Sequence, residues 1–98
     1  MTITTEKNND VLTIKLEGRL DTNTAPELEK TVAEKTEGIK DLVLDMEKLE
    51  YISSAGLRVL LATQKKMNKV GSMKVTNVCD GVMEVFEITG FSEILTIE

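Results

Sequence analysis

Histidine is absent from the 98 residues of this chain. That excludes a Ser-His-Asp triad, a Cys-His pair and every histidine-based metal site. Cysteine occurs once, as Cys79, so no internal disulfide can form and a reducing compartment fits best. Tryptophan is missing and only Tyr51, Phe86 and Phe91 are aromatic, while the net charge is −5. A nucleic-acid partner calls for basic patches and stacking rings, and neither excess is present. No apolar run approaches the roughly 20 residues of a membrane span, and the N-terminus lacks a signal-peptide pattern. A soluble, cytoplasmic protein that does not engage membranes is therefore expected. Acids are numerous but scattered, without the D-x-[DN]-x-[DN]-G spacing of a calcium loop. Neither a G-x-S-x-G elbow nor a G-x-x-x-x-G-K-[ST] phosphate loop occurs. These patterns offer no catalytic residue, metal or cofactor.

What the chain does contain is alternation. Its length suits one domain, residues 1–98, able to bury about two-thirds of its unfolded surface. A short opening segment around Ile3 leads to the turn-forming Asn8-Asn9-Asp10. Leu12, Ile14 and Leu16 then alternate with Thr13, Lys15 and Glu17, the period of a strand with one buried face. The two segments predict a hairpin at a sheet edge. Gly18 is read as closing the second strand, with Arg19 to Asn23 as a polar loop. Thr24 and Glu27 have capping-box spacing, and Pro26 falls in the first turn, where its missing N–H costs little. Ala25, Leu28 and Val32 supply the apolar stripe of this first helix, and Gly38 ends it.

Asp41 to Asp45 is a continuous apolar run framed by acids and reads as a buried strand. Beyond it, Leu57, Leu60, Leu61 and Met67 have the spacing of a helix face. Ser53 and Ser54 thus sit where a loop from a central strand enters a helix, where a hydroxyl can accept from free N–H groups of the first turn. The same N–H groups and the helix dipole favour negative charge. A phosphate on such a serine would spare the fold and still add roughly −1.5 to −2 units of charge to the surface. Lys65, Lys66 and Lys69 fall in the last turns of this helix, and Gly71 follows as its terminator. Met73, Val75 and Val78 predict a further strand. Asp80 is read as the cap of a third helix carrying Val82, Val85 and Phe86 and stopped by Gly90. Ile94, Leu95 and Ile97 form a last short strand or an extended tail. The order β-β-α-β-α-β-α-β predicts an α/β fold, a mixed sheet with packed helices.

Three segments resemble a known family. They are Glu17-Gly18-Arg19-Leu20-Asp21, Leu42-Val43-Leu44-Asp45 leading to Ile52-Ser53-Ser54-Ala55-Gly56-Leu57, and Val85-Phe86-Glu87-Ile88-Thr89-Gly90-Phe91. Together they resemble the STAS domain of bacterial anti-sigma factor antagonists. The resemblance implies a non-enzymatic partner switch. In that family the unphosphorylated protein binds an anti-sigma factor, usually a serine kinase, and so frees the sigma factor. Phosphorylation of a serine at the start of this helix breaks the complex, and a serine phosphatase resets it. The family pattern is Asp-Ser-Ser/Thr-Gly-Leu. Alignment on Gly56 and Leu57 puts Ser54 at the acceptor position, with Ser53 in place of the aspartate and as the second choice of acceptor. Ala55 replaces the second hydroxyl residue.

The second helix adds its own indication. Leu57, Leu60, Leu61 and Gln64 share the side expected to face the sheet. Ala55, Val59 and Ala62 fall opposite, near Arg58, Lys66 and Lys69, as an apolar outer stripe rimmed by cations and suited to docking. The bland alternative is that alanines suit any helix position and Val59 is a scattered exposed residue. Asp21, Thr22 and Asn23 extend the patch in the family's geometry. Asp45 is read as a loop or capping acid, since the acidic pair and lysine of an aspartyl-phosphate site are not evident. Cys79 is read as a small buried or half-buried residue, with no neighbouring base to activate it. Three functional classes follow: a phosphorylation-switched antagonist, a constitutive scaffold module of a larger assembly, and an enzyme or ligand-binding domain, for which no constellation is found.

Overall fold

The computed structural model describes residues 1–98. Strands β1 (Thr2–Asn8), β2 (Val11–Leu20), β3 (Asp41–Ile52) and β4 (Ser72–Thr76) lie side by side in that order. The predicted edge hairpin is present: β1 pairs antiparallel with β2 across a turn in which Asn9 adopts φ 59. That left-handed conformation is one asparagine tolerates better than most residues. β2–β3 and β3–β4 are parallel, and helices α1 (Ala25–Lys35) and α2 (Ser54–Val70) make the crossovers. Helices α3 (Asp80–Thr89) and α4 (Phe91–Ile94) follow β4. The final predicted strand shrinks to a single parallel bridge between Ile97 and Val75, so the extended-tail alternative describes the end from Leu95 on, while Ile94, expected in it, ends α4.

Alternation decides where the core lies. Leu12 and Ile14 of β2 pair in register with Leu42 and Leu44 of β3, and these with Met73 and Val75 of β4, while Leu16 continues the same row of β2. All of them are buried, whereas Lys15, Glu17 and Glu47 are exposed. Ala25, Leu28 and Val32 of α1, the inner face of α2, and Val82 and Phe86 of α3 join the same cluster. The helices therefore cover one face of the sheet and leave the other to water.

Both strands that lead to the serine loop run further than the sequence pattern indicates. β2 does not stop at Gly18: with that residue at φ +107 the strand continues to a fully buried Leu20, and the register shifts against β3 are taken up by bulges in β3, after Asp45 and after Leu49. Glycine adopts that angle without a Cβ penalty, and because Gly18 stands in the row of Leu16 and Leu20 the apolar period of β2 shows a gap there. β3 likewise continues past Asp45 through Met46 and Leu49 to Ile52, all buried. Asp45 is consequently a strand residue. Its carboxylate accepts from the Glu47 N–H at 3.0 Å and from Asn77 Nδ2 at 3.1 Å, tying the end of β4 to the middle of β3.

Local helix signals are kept in part. Thr24 is the N-cap residue of α1, but its hydroxyl donates to the Arg19 carbonyl at 2.7 Å and makes no capping bond, so the capping box with Glu27 does not form. Gly90 ends α3 in the left-handed conformation, φ 83. Gly71 ends α2 in a different way: its backbone is extended, and a Cβ there would collide with the Lys40 carbonyl, which accepts the Ser72 N–H at 2.8 Å. The N-cap of α3 is Cys79, one residue before Asp80. Cys79 is exposed, contrary to the buried or half-buried position expected, with its thiol 3.5 Å from the Leu49 carbonyl.

Candidate functional site

The site begins with two strand ends in parallel register, Leu20 beside Ile52. The Ser53 N–H donates to the Leu20 carbonyl at 2.9 Å, extending the ladder by one residue and fixing where α2 starts. Gly56 then brings the first turn of α2 down onto the same ends. A Cβ on Gly56 would lie 2.7 Å from Leu20 Cγ and 2.9 Å from Ile52 Cγ1. No larger residue fits without displacing the helix.

The adjoining loop is equally determined. The Asp21 carboxylate accepts from the N–H groups of Asn23 at 2.9 Å and Thr24 at 3.2 Å, an Asx turn. Thr24 Oγ1 accepts from the Asp21 N–H at 2.8 Å while donating to Arg19. Desolvation pulls the Asp21 pKa upward. The two backbone N–H groups, the Thr24 hydroxyl and the Arg19 guanidinium outweigh it and hold the carboxyl below its ordinary 3.8. Asp21 thus stays ionised while Thr22 and Asn23 project, exposed, at the end of the sheet that carries the serines.

The two serines have different environments. Ser54 is the first residue of α2 and is exposed. Ser53 is the N-cap residue, with extended backbone (φ −102, ψ 177), and its carbonyl accepts the first helical N–H, from Leu57, at 2.9 Å. Its hydroxyl makes no cap bond and is buried without a hydrogen-bond partner. Of the two, only Ser54 presents its side chain to an approaching protein.

Thr22, Ala25, Pro26, Glu29, Ala55, Arg58 and Val59 line one shallow depression, so the structure does bring Thr22 together with Ala55 and Arg58. The expected apolar outer stripe needs correction. Val59 is only 8 % exposed and belongs to the core, against α1. Val59, Ala62 and Thr63 flank Val32 and Ala33 of α1, with Glu29 and Lys66 at the rim of the groove between the helices. The buried face of α2 is therefore wide: Leu57, Leu60, Gln64 and Met67 share it with Gly56, Val59 and Thr63. Leu61, expected inside, is half-buried. What α2 leaves to solvent is Ser54, Arg58, Ala62, Lys65, Lys66, Asn68, Lys69 and Val70, with Ala55 half-buried beside them.

Two residues that sequence reasoning left out stand at the same end. The Arg19 guanidinium lies 4.1 Å from the centroid of the exposed Tyr51 ring, and its Nε is 3.9 Å from Asp21 Oδ2. Arg19 and Tyr51 are register partners across β2 and β3. The pairing was hidden because both strands read as ending earlier.

The STAS domain family model matches residues 2–98. The chain belongs to the STAS-domain family. BtrV of Bordetella bronchiseptica, named by inference as an anti-sigma factor antagonist, is 37% identical over 99 residues, an overlap covering 99% of this chain and 85% of BtrV. The anti-sigma-B factor antagonist of Staphylococcus aureus is 28% identical over 99% of this STAS chain and 92% of its own. Among solved structures, an anti-sigma factor antagonist from Mycobacterium paratuberculosis superposes with TM-score 0.87 at 27% identity, covering 98% of this chain and 83% of that one. The mixed sheet and helix order described above are the fold of this family. No helix is long and apolar enough to cross a membrane, and no cluster of three or more Cys, Asp or Glu side chains is placed to hold a metal ion.

Proposed function

We propose that this STAS domain is an anti-sigma factor antagonist that binds an anti-sigma factor of the serine-kinase type while Ser54 is free and releases it when Ser54 is phosphorylated. A serine phosphatase returns it to the binding state. The observation that carries the reading is the placement of Ser54. It is exposed, it opens α2, and it stands beside the Asp21–Asn23 loop and the depression lined by Thr22, Ala55 and Arg58. The names of the relatives supply the partner class.

The chemistry follows from that placement. A phosphate on the first helical residue meets the positive end of the helix dipole and, one turn on, Arg58, so α2 can carry it. At an interface made for a neutral hydroxyl the same group adds bulk and charge that desolvation leaves unpaired. Switching then needs no refolding. Ser53 contributes its backbone to the helix start and, with its hydroxyl buried, is not the acceptor.

A second reading, a constitutive scaffold without a switch, draws on one specific feature: Ser53 stands where the family carries an aspartate. Incubation of wild type, Ser53→Ala and Ser54→Ala with the cognate kinase and ATP, followed by mass-spectrometric mapping, separates the readings. Phosphate on wild type and Ser53→Ala but not on Ser54→Ala is expected. Phosphate retained on Ser54→Ala and lost from Ser53→Ala moves the switch to Ser53, and an unmodified wild type with an active kinase favours the scaffold.

A further inference from the structure

The charges of this acidic chain are not evenly spread. Helix α2 carries Arg58, Lys65, Lys66 and Lys69 and not one Asp or Glu in its 17 residues, although the whole chain has net charge −5. All four cations are exposed. None joins an ion pair: the four in this structure are Lys15–Glu6, Arg19–Asp21, Lys30–Glu34 and Lys74–Glu98. Neighbouring α1 shows the ordinary arrangement, with Lys30 and Glu34 paired one turn apart. Helix stability explains only part of the pattern. Lys69 complements the dipole in the last turn, but Lys65 and Lys66 lie before it and Arg58 lies in the second turn, where the dipole gives a cation nothing. Lys65 and Lys69 also stack like charges at i, i+4, which disfavours the helix.

At 3.6 residues per turn Ser54, Arg58, Ala62, Lys65 and Lys69 follow one another along a single exposed line, with only a methyl group at Ala62 to interrupt the charges. We infer that this line is a docking strip for an acidic surface on the protein partner. The inference deepens the proposed function and rests on it, by assigning the partner's charge. A cationic strip on a net-acidic protein selects a strip of opposite sign, while the overall negative charge repels acidic proteins that lack that local match. Ser54 stands at its head. A phosphate there turns one end of the strip negative and draws Arg58 to itself, so modification removes the complementarity that the strip provides.

The test uses the full chain and the anti-sigma factor of the same bacterium, with association rates measured at 50 and 300 mM NaCl (conditions chosen to bracket the screening range). The wild-type rate is expected to fall by about tenfold or more between the two salts. Lys65→Gln/Lys69→Gln should associate several-fold more slowly at the lower salt, with the gap closing at the higher, and should keep the wild-type melting temperature to within about 2 °C. Ser54→Asp should weaken binding in either background. Salt-insensitive association, with the double variant equal to wild type while Ser54→Asp still releases, overturns the strip and leaves the switch standing. Failure of the unphosphorylated chain to bind at all overturns both. Equal binding to anionic lipid vesicles or duplex DNA at 150 mM NaCl overturns the protein assignment. So does salt-sensitive self-association of the chain, through the acidic residues Asp80, Glu84, Glu87 and Glu93 of a second copy.

Discussion

Gly56→Ala isolates the contact that sets the position of Ser54. The added Cβ would stand 2.7 Å from Leu20 Cγ, 2.9 Å from Ile52 Cγ1 and 3.0 Å from Leu20 Cδ2. Carbon atoms prefer about 3.5–4.0 Å, so the shortfall is close to 1 Å. Neither neighbour can swing aside, because Leu20 is 0 % and Ile52 3 % exposed and both end strands that the ladder holds. Overpacking of this kind costs about 1–3 kcal/mol. Alanine's better helix propensity returns at most about 1 kcal/mol, and less in a first turn. The net expectation is a loss of about 1–2 kcal/mol, and at roughly 4–8 °C per kcal/mol for a domain this size the midpoint should drop by about 5–15 °C. Gly81→Ala serves as the control, since nothing lies within 4 Å of its Cβ position. Urea titration by circular dichroism of both variants reads the difference. If Gly56→Ala is as stable as wild type, or gains as much as Gly81→Ala, the first turn of α2 is not seated on the strand ends and the geometry of the site is wrong.

The core assignment makes Leu60→Ala cost about 2–5 kcal/mol, since Leu60 is fully buried. A loss below about 1 kcal/mol in the same titration would turn α2 about its axis. Val59→Glu should lower the thermal midpoint sharply by placing a charge in the α1–α2 contact, and a fully folded variant would return Val59 to the surface. The folded-state pKa of Asp21 lies below its unfolded value, so its contribution is fully present above the unfolded value of 3.8 and is lost as pH falls through the folded one. Wild type should therefore be more stable than Asp21→Asn at pH 7, with the gap narrowing as the pH falls below about 4. A gap that is constant down to pH 2 contradicts the carboxylate's role in the loop.

Periodicity carried the fold well where it was unbroken. Leu12, Ile14 and Leu16 mark their strand by alternation, Leu42-Val43-Leu44 mark theirs as a continuous apolar run, and the turn at Asn9 and the stop at Gly90 follow from residue chemistry. It failed at bulges. Those of β3, after Asp45 and after Leu49, shift its period, and Gly18 leaves a gap in the apolar row of β2, so two strands read as ending early, and the Arg19–Tyr51 contact went with them. Val59 shows a different limit. A helical wheel locates one buried face, but α2 is covered by the sheet on one side and by α1 on another, and only packing reveals that the buried arc includes Val59 and Thr63. The place of Ser54 at the helix start, by contrast, was legible because a helix start leaves its signature in sequence. The unpartnered hydroxyl of Ser53 could not be read, since a serine at that position ordinarily caps.

The central claim is that one phosphate on Ser54 separates the complex without disturbing the fold. The most direct measurement is calorimetric titration of the anti-sigma factor with the unphosphorylated chain and with the chain phosphorylated at Ser54, alongside the melting curve of each form. The account predicts tight binding by the first form, affinity weaker by at least about tenfold, or 1.4 kcal/mol, for the second, and melting temperatures within a few degrees of each other. Equal affinity of the two forms, or a phosphorylated chain that loses binding only because it has unfolded, would contradict it.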